Sequence, residues 1–172
     1  MGYKYMKTFF KIIFITFIAL IVIGIIFNDT EEKNLQKIEV LKTAKIDKIS
    51  PSGELYQIYS LGSNYTDLQR DNMTKELKDK IVQWTLPVFE VSKLSENKYK
   101  IQTDSGTLFG TKYVGTFTVV YTQNENEVRF IENLETGSNI TIKGIINDTF
   151  MRNIEIEPAI LIIKSYIQNF KP

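Results

Sequence analysis

The chain of 172 residues contains no cysteine and no histidine. Those two absences remove the disulfide, the thiolate nucleophile, the structural zinc site and every Ser-His or Cys-His catalytic dyad. There is one tryptophan, four prolines and nine glycines, and no Gly-Lys-Ser/Thr sequence completes a phosphate-binding loop after the GTLFG stretch at 106–110. The first 28 residues also lack any acid, since Asp29 is the first of the 20 Asp and Glu. An enzyme would have to work with carboxylates. Glu155 and Glu157 share a strand face at a spacing of two, but with no histidine, Asp-rich loop or glycine-bearing calcium loop beside them they read as a solvated outer face. The expectation is a protein without catalysis, metal or cofactor.

What is present divides into a greasy, basic head and a polar body. From Phe9 to Phe27 the run FFKIIFITFIALIVIGIIF spans 19 residues, interrupted by Lys11, Thr16 and Gly24. As a helix it would reach roughly 28 Å, the hydrocarbon thickness of a bilayer. Lys11 lies one turn inside and can extend its stem to the headgroups. A cleaved signal peptide would carry a shorter apolar core ending in small residues, whereas this run leaves through Ile25, Ile26, Phe27, Asn28 and Asp29. Lys4, Lys7 and Lys11 precede or open the span, and Asp29, Glu31 and Glu32 follow it. By the positive-inside rule residues 1–8 are cytoplasmic, 9–27 form an uncleaved transmembrane anchor in the cytoplasmic membrane, and the body lies outside, periplasmic or extracellular.

Residues 28–62 read as a stalk with short helices. Leu35, Ile38 and Leu41 recur at helical spacing, with Ile46 following, and Ser50-Pro51 offers a cap and first residue for a helix running to Tyr59. Thr66 or Ser63 caps a helix over 67–79, with acids early and Lys75 and Lys78 late, the order a helix dipole prefers. From Ile81 the pattern changes to strands at 81–93, 97–103, 113–122, 139–147 and 153–163, with Val128, Ile131 and Leu134 marking a helix that stops at Gly137.

Five strands with a helix between the third and fourth is the element order of the OB-fold, a five-stranded Greek-key barrel, so the fold class expected for 63–172 is mainly β. Alternation points Tyr99, Ile101, Phe117, Val119, Tyr121, Ile140, Ile142, Ile146, Ile154 and Ile156 inward. Gly115 and Gly144 are the expected bends. Trp84 alternates with Val82, Leu86 and Val88 as a core residue, and Pro87 demands a bulge or an edge in its strand.

The segments KDKIVQWTLPVFEV (78–91), VGTFTVV (114–120), LETGSNITIKGII (134–146) and TFMRNIEIEPAIL (149–161) carry a resemblance. Between about Leu68 and Ile162 the chain resembles the bacterial OB-fold family named for its likeness to tRNA-anticodon-binding domains, whose members are often anchored or lipidated. This chain lacks the cysteine that would take a lipid. The resemblance implies the barrel, and a fold does not by itself supply an activity.

The usual ligand surface of such a barrel is the face of strands two and three with the loop between strands four and five. Here it would present Lys98, Lys100 and Gln102 opposite Thr116, Thr118 and Thr122, with Lys93 and Lys112 nearby and Phe150 and Arg152 on the loop. A basic face with an aromatic suits a phosphate backbone and a stacked base. Against this, residues 28–172 carry 18 Lys and Arg and 20 acids, a formal charge of −2, so no global field draws in a polyanion. Arg152 is expected to pair with Glu155 or Glu157. The function expected is a membrane-anchored binding or scaffolding module for a protein, peptide or envelope ligand, with a single-stranded nucleic-acid binder as the alternative.

Overall fold

The computed structural model describes residues 32–103, 105–108 and 110–163. By internal contact the chain forms two units, Met1–Lys37 and Ile38–Pro172. The apolar run 9–27 lies outside the described residues, among which no helix is long and apolar enough to cross a membrane.

Residues 32–43 are helical (α1). Two further short helices follow, α2 (Glu54–Tyr59) and α3 (Asp67–Leu77). α3 starts where the sequence places it. The Thr66 hydroxyl accepts from the Gln69 amide at 3.3 Å, and Gln69 Oε1 accepts from the Thr66 amide at 2.8 Å, a reciprocal capping box. α2 starts later than the Ser50-Pro51 signal suggests. The Pro51 carbonyl accepts from the Val114 amide at 2.8 Å, and Ser52 pairs with Tyr113, so both residues are committed to a neighbouring strand before the helix begins.

The remainder is mainly β, with eight strands: β1 (Ile81–Pro87), β2 (Glu90–Ser95), β3 (Lys98–Thr103), β4 (Gly106–Leu108), β5 (Thr111–Tyr113), β6 (Thr116–Tyr121), β7 (Asn139–Phe150) and β8 (Asn153–Leu161). A helix, α4 (Glu125–Glu132), separates β6 from β7, with Asn124 as its cap. Six strands form one mixed sheet in the order β1-β7-β8-β6-β3-β2, antiparallel throughout except for the parallel pair β6 and β8. β4 and β5 make a separate hairpin in the stretch expected as a plain loop.

The segment 81–93, expected as one strand, breaks after Pro87. Pro87 ends β1 opposite Asn139, and the next two residues turn the chain from one neighbour to another. Val88 exchanges backbone hydrogen bonds with Ser138 and Gly137 at 2.8 and 2.7 Å, while the Phe89 amide donates to the Gln102 carbonyl at 2.8 Å. The two end strands of the sheet order are thus successive pieces of one segment, an arrangement compatible with a β barrel.

The inner face of the sheet carries the main core. Val82, Trp84, Leu86, Tyr99, Ile101, Val120, Ile140, Ile142, Ile146, Ile154 and Ile156 are buried together with Leu55 and Ile58 of α2, Leu77 of α3 and Ile131 of α4. Trp84 is a core residue as expected, and its indole N–H donates to the Ile49 carbonyl at 2.8 Å. At Gly144 a Cβ would overlap Ile156 Cγ2 and lie 2.8 Å from Ala159 Cβ. Glycine is needed there for the close approach of β7 and β8, beside the register shift between Gly144 and Ile146.

A second, smaller core lies on the outer face. Ile38 and Leu41 of α1 pack with Tyr121, Ile145 and Ile160, flanked by Val119 and Ile162. Just beyond α1 the Lys143 ammonium donates to the Ala44 carbonyl at 2.7 Å, and the residue is only 6% exposed. Asp47 accepts the Ile81 amide on its carboxylate and returns its own amide to the Ile81 carbonyl, at 2.8 and 2.7 Å. The stretch expected as a stalk therefore belongs, from Ile38 onward, to the folded unit.

Candidate functional site

The outer face beyond that second core is built by strand parity. On β3 the residues Tyr99, Ile101 and Thr103 are buried, which turns Lys98, Lys100 and Gln102 outward. These three stand where the sequence places them. On β6 the parity is the reverse of the expected one. Thr116 and Thr118 are 0% and 1% exposed, and Phe117 and Val119 stand half-buried on the outside.

The reason is local hydrogen bonding set against outer-face packing. The Thr103 and Thr116 hydroxyls lie 2.9 Å apart, the Thr116 amide donates to Thr103 Oγ1 at 3.0 Å, and the Thr116 and Thr118 hydroxyls are 3.2 Å apart. A buried hydroxyl with such partners avoids most of its desolvation cost. Tyr121 and Val119 meanwhile find the outer core under α1. Thr116 and Thr118 are therefore interior residues, not members of a ligand face, and Thr122 is likewise buried, its hydroxyl donating to the Asn97 carbonyl at 3.2 Å.

The outer face has three stripes. Lys98 and Lys100 on β3 form a cationic edge; Phe117 and Val119 on β6 form an apolar centre; Glu155 and Glu157 on β8, with Asp148 on β7, form an anionic edge. Register places Lys100 against Val119, Phe117 against Glu155, and Glu155 against Asp148. Lys100 leans over Phe117, its ammonium 4.5 Å from the ring centre. Phe150, 51% exposed at the end of β7, sits with its ring 6.1 Å from that of Phe117. Lys98 is paired within the face, 3.1 Å from Glu157 and 4.9 Å from the centre of the Tyr121 ring.

Electrostatics follow from these neighbours. Burial alone would lower the Lys98 ammonium, but its hydrogen bonds to Tyr121 and Glu157 outweigh burial and raise it. Burial, with Asp148 and Glu157 beside it, raises the Glu155 carboxyl above its ordinary value, against an opposing pull from Lys100.

Arg152 does not join this face. It has a left-handed backbone, φ 64°, in the turn between β7 and β8, and its guanidinium donates to the Ser60 carbonyl at 2.7 Å, closing the C-terminal end of α2. The expected pairing of Arg152 with Glu155 or Glu157 is replaced by that bond and by the Lys98–Glu157 bridge. Lys112 turns elsewhere too, its ammonium 5.7 Å from the centre of the Tyr56 ring on α2.

A groove of about 390 Å³ between β2 and α4 is not apparent from the sequence. Val88, Phe89, Val91, Ile131 and Leu134 line it, and at its edge Glu132 accepts from Lys93 at 2.8 Å and from the Tyr99 hydroxyl at 2.7 Å. Those two donors hold the Glu132 carboxyl below its ordinary value. The carboxylate at this edge is thus already satisfied by the fold.

Among the described residues no cluster of acidic side chains could hold a metal ion. Comparison with protein-family models and with curated proteins finds no match.

Proposed function

We propose that this chain is a membrane-anchored, extracytoplasmic, non-catalytic binding module of OB-fold type, whose three-striped outer face engages a protein or peptide partner. The observation that carries the reading is that face. Its cationic edge, aromatic centre and anionic edge offer complementary contacts to a polypeptide bearing both signs of charge, and an exposed phenylalanine provides an anchor. The OB-fold assignment draws on the sheet order, on the parallel pairing of β6 with β8, and on the helix between β6 and β7. It accords with the resemblance to the family of anticodon-binding-like domains. Residues 9–27 supply the anchor, and the charge asymmetry around them supplies the orientation.

A nucleic-acid strand is the poorer fit. Lys98 is already neutralised by Glu157, and the carboxylates of Glu155 and Asp148 flank the aromatic centre where a phosphate backbone would run. Two measurements test the reading. A photo-cross-linking phenylalanine analogue at Phe150, introduced in intact cells, should yield a polypeptide adduct, and the same analogue at exposed Asn126 should not. Short single-stranded DNA should fail to bind the detergent-solubilised chain even at low salt. Tight, salt-sensitive DNA binding lost in Lys100→Glu would replace the protein-binding reading with the nucleic-acid one.

A further inference from the structure

We infer that the partner of this face is a second copy of the chain, docked about a two-fold axis that runs along β6. The inference rests on the protein-binding reading above and narrows it to one occupant.

Symmetry restricts how two copies of one face can meet. When two identical faces pack together, the axis relating them lies in the plane of contact, and residue i of one copy meets residue j of the other while j meets i. A face carrying a single sign of charge opposes itself in such an arrangement. This face carries cations on β3, apolar residues on β6 and anions on β8 and β7, in successive strands. A two-fold axis along the central stripe exchanges left and right, so the lysines of each copy meet the glutamates of the other. An axis across the strands would set lysine against lysine and glutamate against glutamate, a juxtaposition that like charges oppose. The charge pattern therefore selects one of the two symmetric dockings.

The level of the groups along the strands agrees. Lys100 is in register with Val119, but its side chain leans toward Phe117, and Phe117 is in register with Glu155. The Lys100 ammonium thus reaches the level of the carboxylate it would meet across the axis. Within one copy the Lys98–Glu157 pair is made, whereas among the described residues neither Lys100 nor Glu155 forms an ion pair. On the axis itself Phe117 would meet its own counterpart, and Phe150 would extend the apolar contact. The remaining end of the outer face, where Val119 packs, is covered by Ile38 and Leu41, which confines the contact to Phe117, Phe150 and the flanking polar and charged residues. Tethering in one membrane would favour so limited an interface by raising the effective concentration of the two copies.

The chain has no cysteine, so a single introduced thiol reports cleanly. Full-length Gln102→Cys protein, its thiol on the outer face in register with Phe117, is treated in native membranes with a bismaleimide spanning about 10 Å, the spacing of face-packed sheets. A homodimer adduct is expected, and Asn126→Cys should give none. In the Gln102→Cys background, Lys100→Glu and Glu155→Lys should each lower the adduct about tenfold, since each sets like charges together on both sides of the axis. Co-expression of the two variants should restore it. In the mixed dimer the two substituted positions face one another with opposite charges, and so do the unsubstituted Lys100 and Glu155. This restoration also shows that both variants fold. A homodimer adduct indifferent to both charge reversals, or one that co-expression fails to restore, overturns the inference. An adduct of Gln102→Cys with a different protein, or no adduct at Gln102→Cys while Phe150 captures another polypeptide, overturns the second copy as partner and leaves the protein-binding reading standing. The absence of any adduct at Gln102→Cys together with none at Phe150 overturns both.

Discussion

The placement of Thr116 and Thr118 decides which side chains of β6 stand on the outer face of the sheet. Their burial follows from a chain of three hydroxyls, and it makes a sharp claim about substitution. On a solvated face Thr118→Lys would be tolerated; in the interior it leaves an unpaired charge and should cost at least about 3 kcal/mol in denaturant unfolding. Unchanged stability would return Thr118 to the surface. Glu155 supports a second prediction, with a definite sign. Its folded carboxyl is raised above the unfolded value, so its contribution is fully favourable below the ordinary glutamate range and is lost as pH rises through the folded value. Glu155→Gln should therefore raise the melting temperature at pH 7, and the gain should close as pH falls toward roughly 4.3, the ordinary glutamate pKa. A gain that grew in acid would contradict the burial and like-charge account. The inverted parity of β6 is not legible in TFTVVY, where alternating apolar residues point to the core whichever face holds it. Two cores compete for that strand, and only the hydroxyl network and the outer packing decide between them. Lys98, Lys100 and Gln102 are legible because β3 has only one apolar parity.

At the scale of elements, sequence and structure agree best where local chemistry is strongest. α3 begins at Thr66, one of the two expected caps, and α4 carries the expected Val128 and Ile131, though it ends at Glu132 and not at Gly137. The Pro87 expected to disturb its strand does so more strongly than a bulge would, ending β1 within the single strand expected over 81–93. The hairpin of β4 and β5 is not legible because three-residue strands carry no readable period, and the pairing of Tyr113 with Ser52 depends on a segment some sixty residues away. α1 departs furthest from its expected role. Its apolar spacing is visible in the sequence, but nothing local to it announces that Ile38 and Leu41 are 2% and 0% exposed against Tyr121, Ile145 and Ile160. If this docking is part of the fold, Leu41→Ala should destabilise the chain by about 2 to 5 kcal/mol. Hydrogen exchange at the amides of 38–49 should then accelerate ahead of the main sheet. An exposed spacer would lose nothing from that substitution.

For the whole molecule, a folded unit that begins at Ile38 follows an apolar run that ends at Phe27, with residues 28–37 between them. The outer face of its sheet carries cations, aromatics and carboxylates in parallel stripes, and the proposed recognition rests on that pattern. The claim on which the rest depends is that this face lies outside the cytoplasmic membrane and is covered by a protein partner there. Labelling of single-cysteine chains by a membrane-impermeant maleimide tests both parts at once, on a background free of native thiols. In intact spheroplasts Asn126→Cys should label fully and Gln102→Cys, on the outer face beside Phe117, should be protected, and after solubilisation and dilution the two should label alike. Failure of both to label before lysis, or labelling of Gln102→Cys as complete as that of Asn126→Cys, would contradict the account.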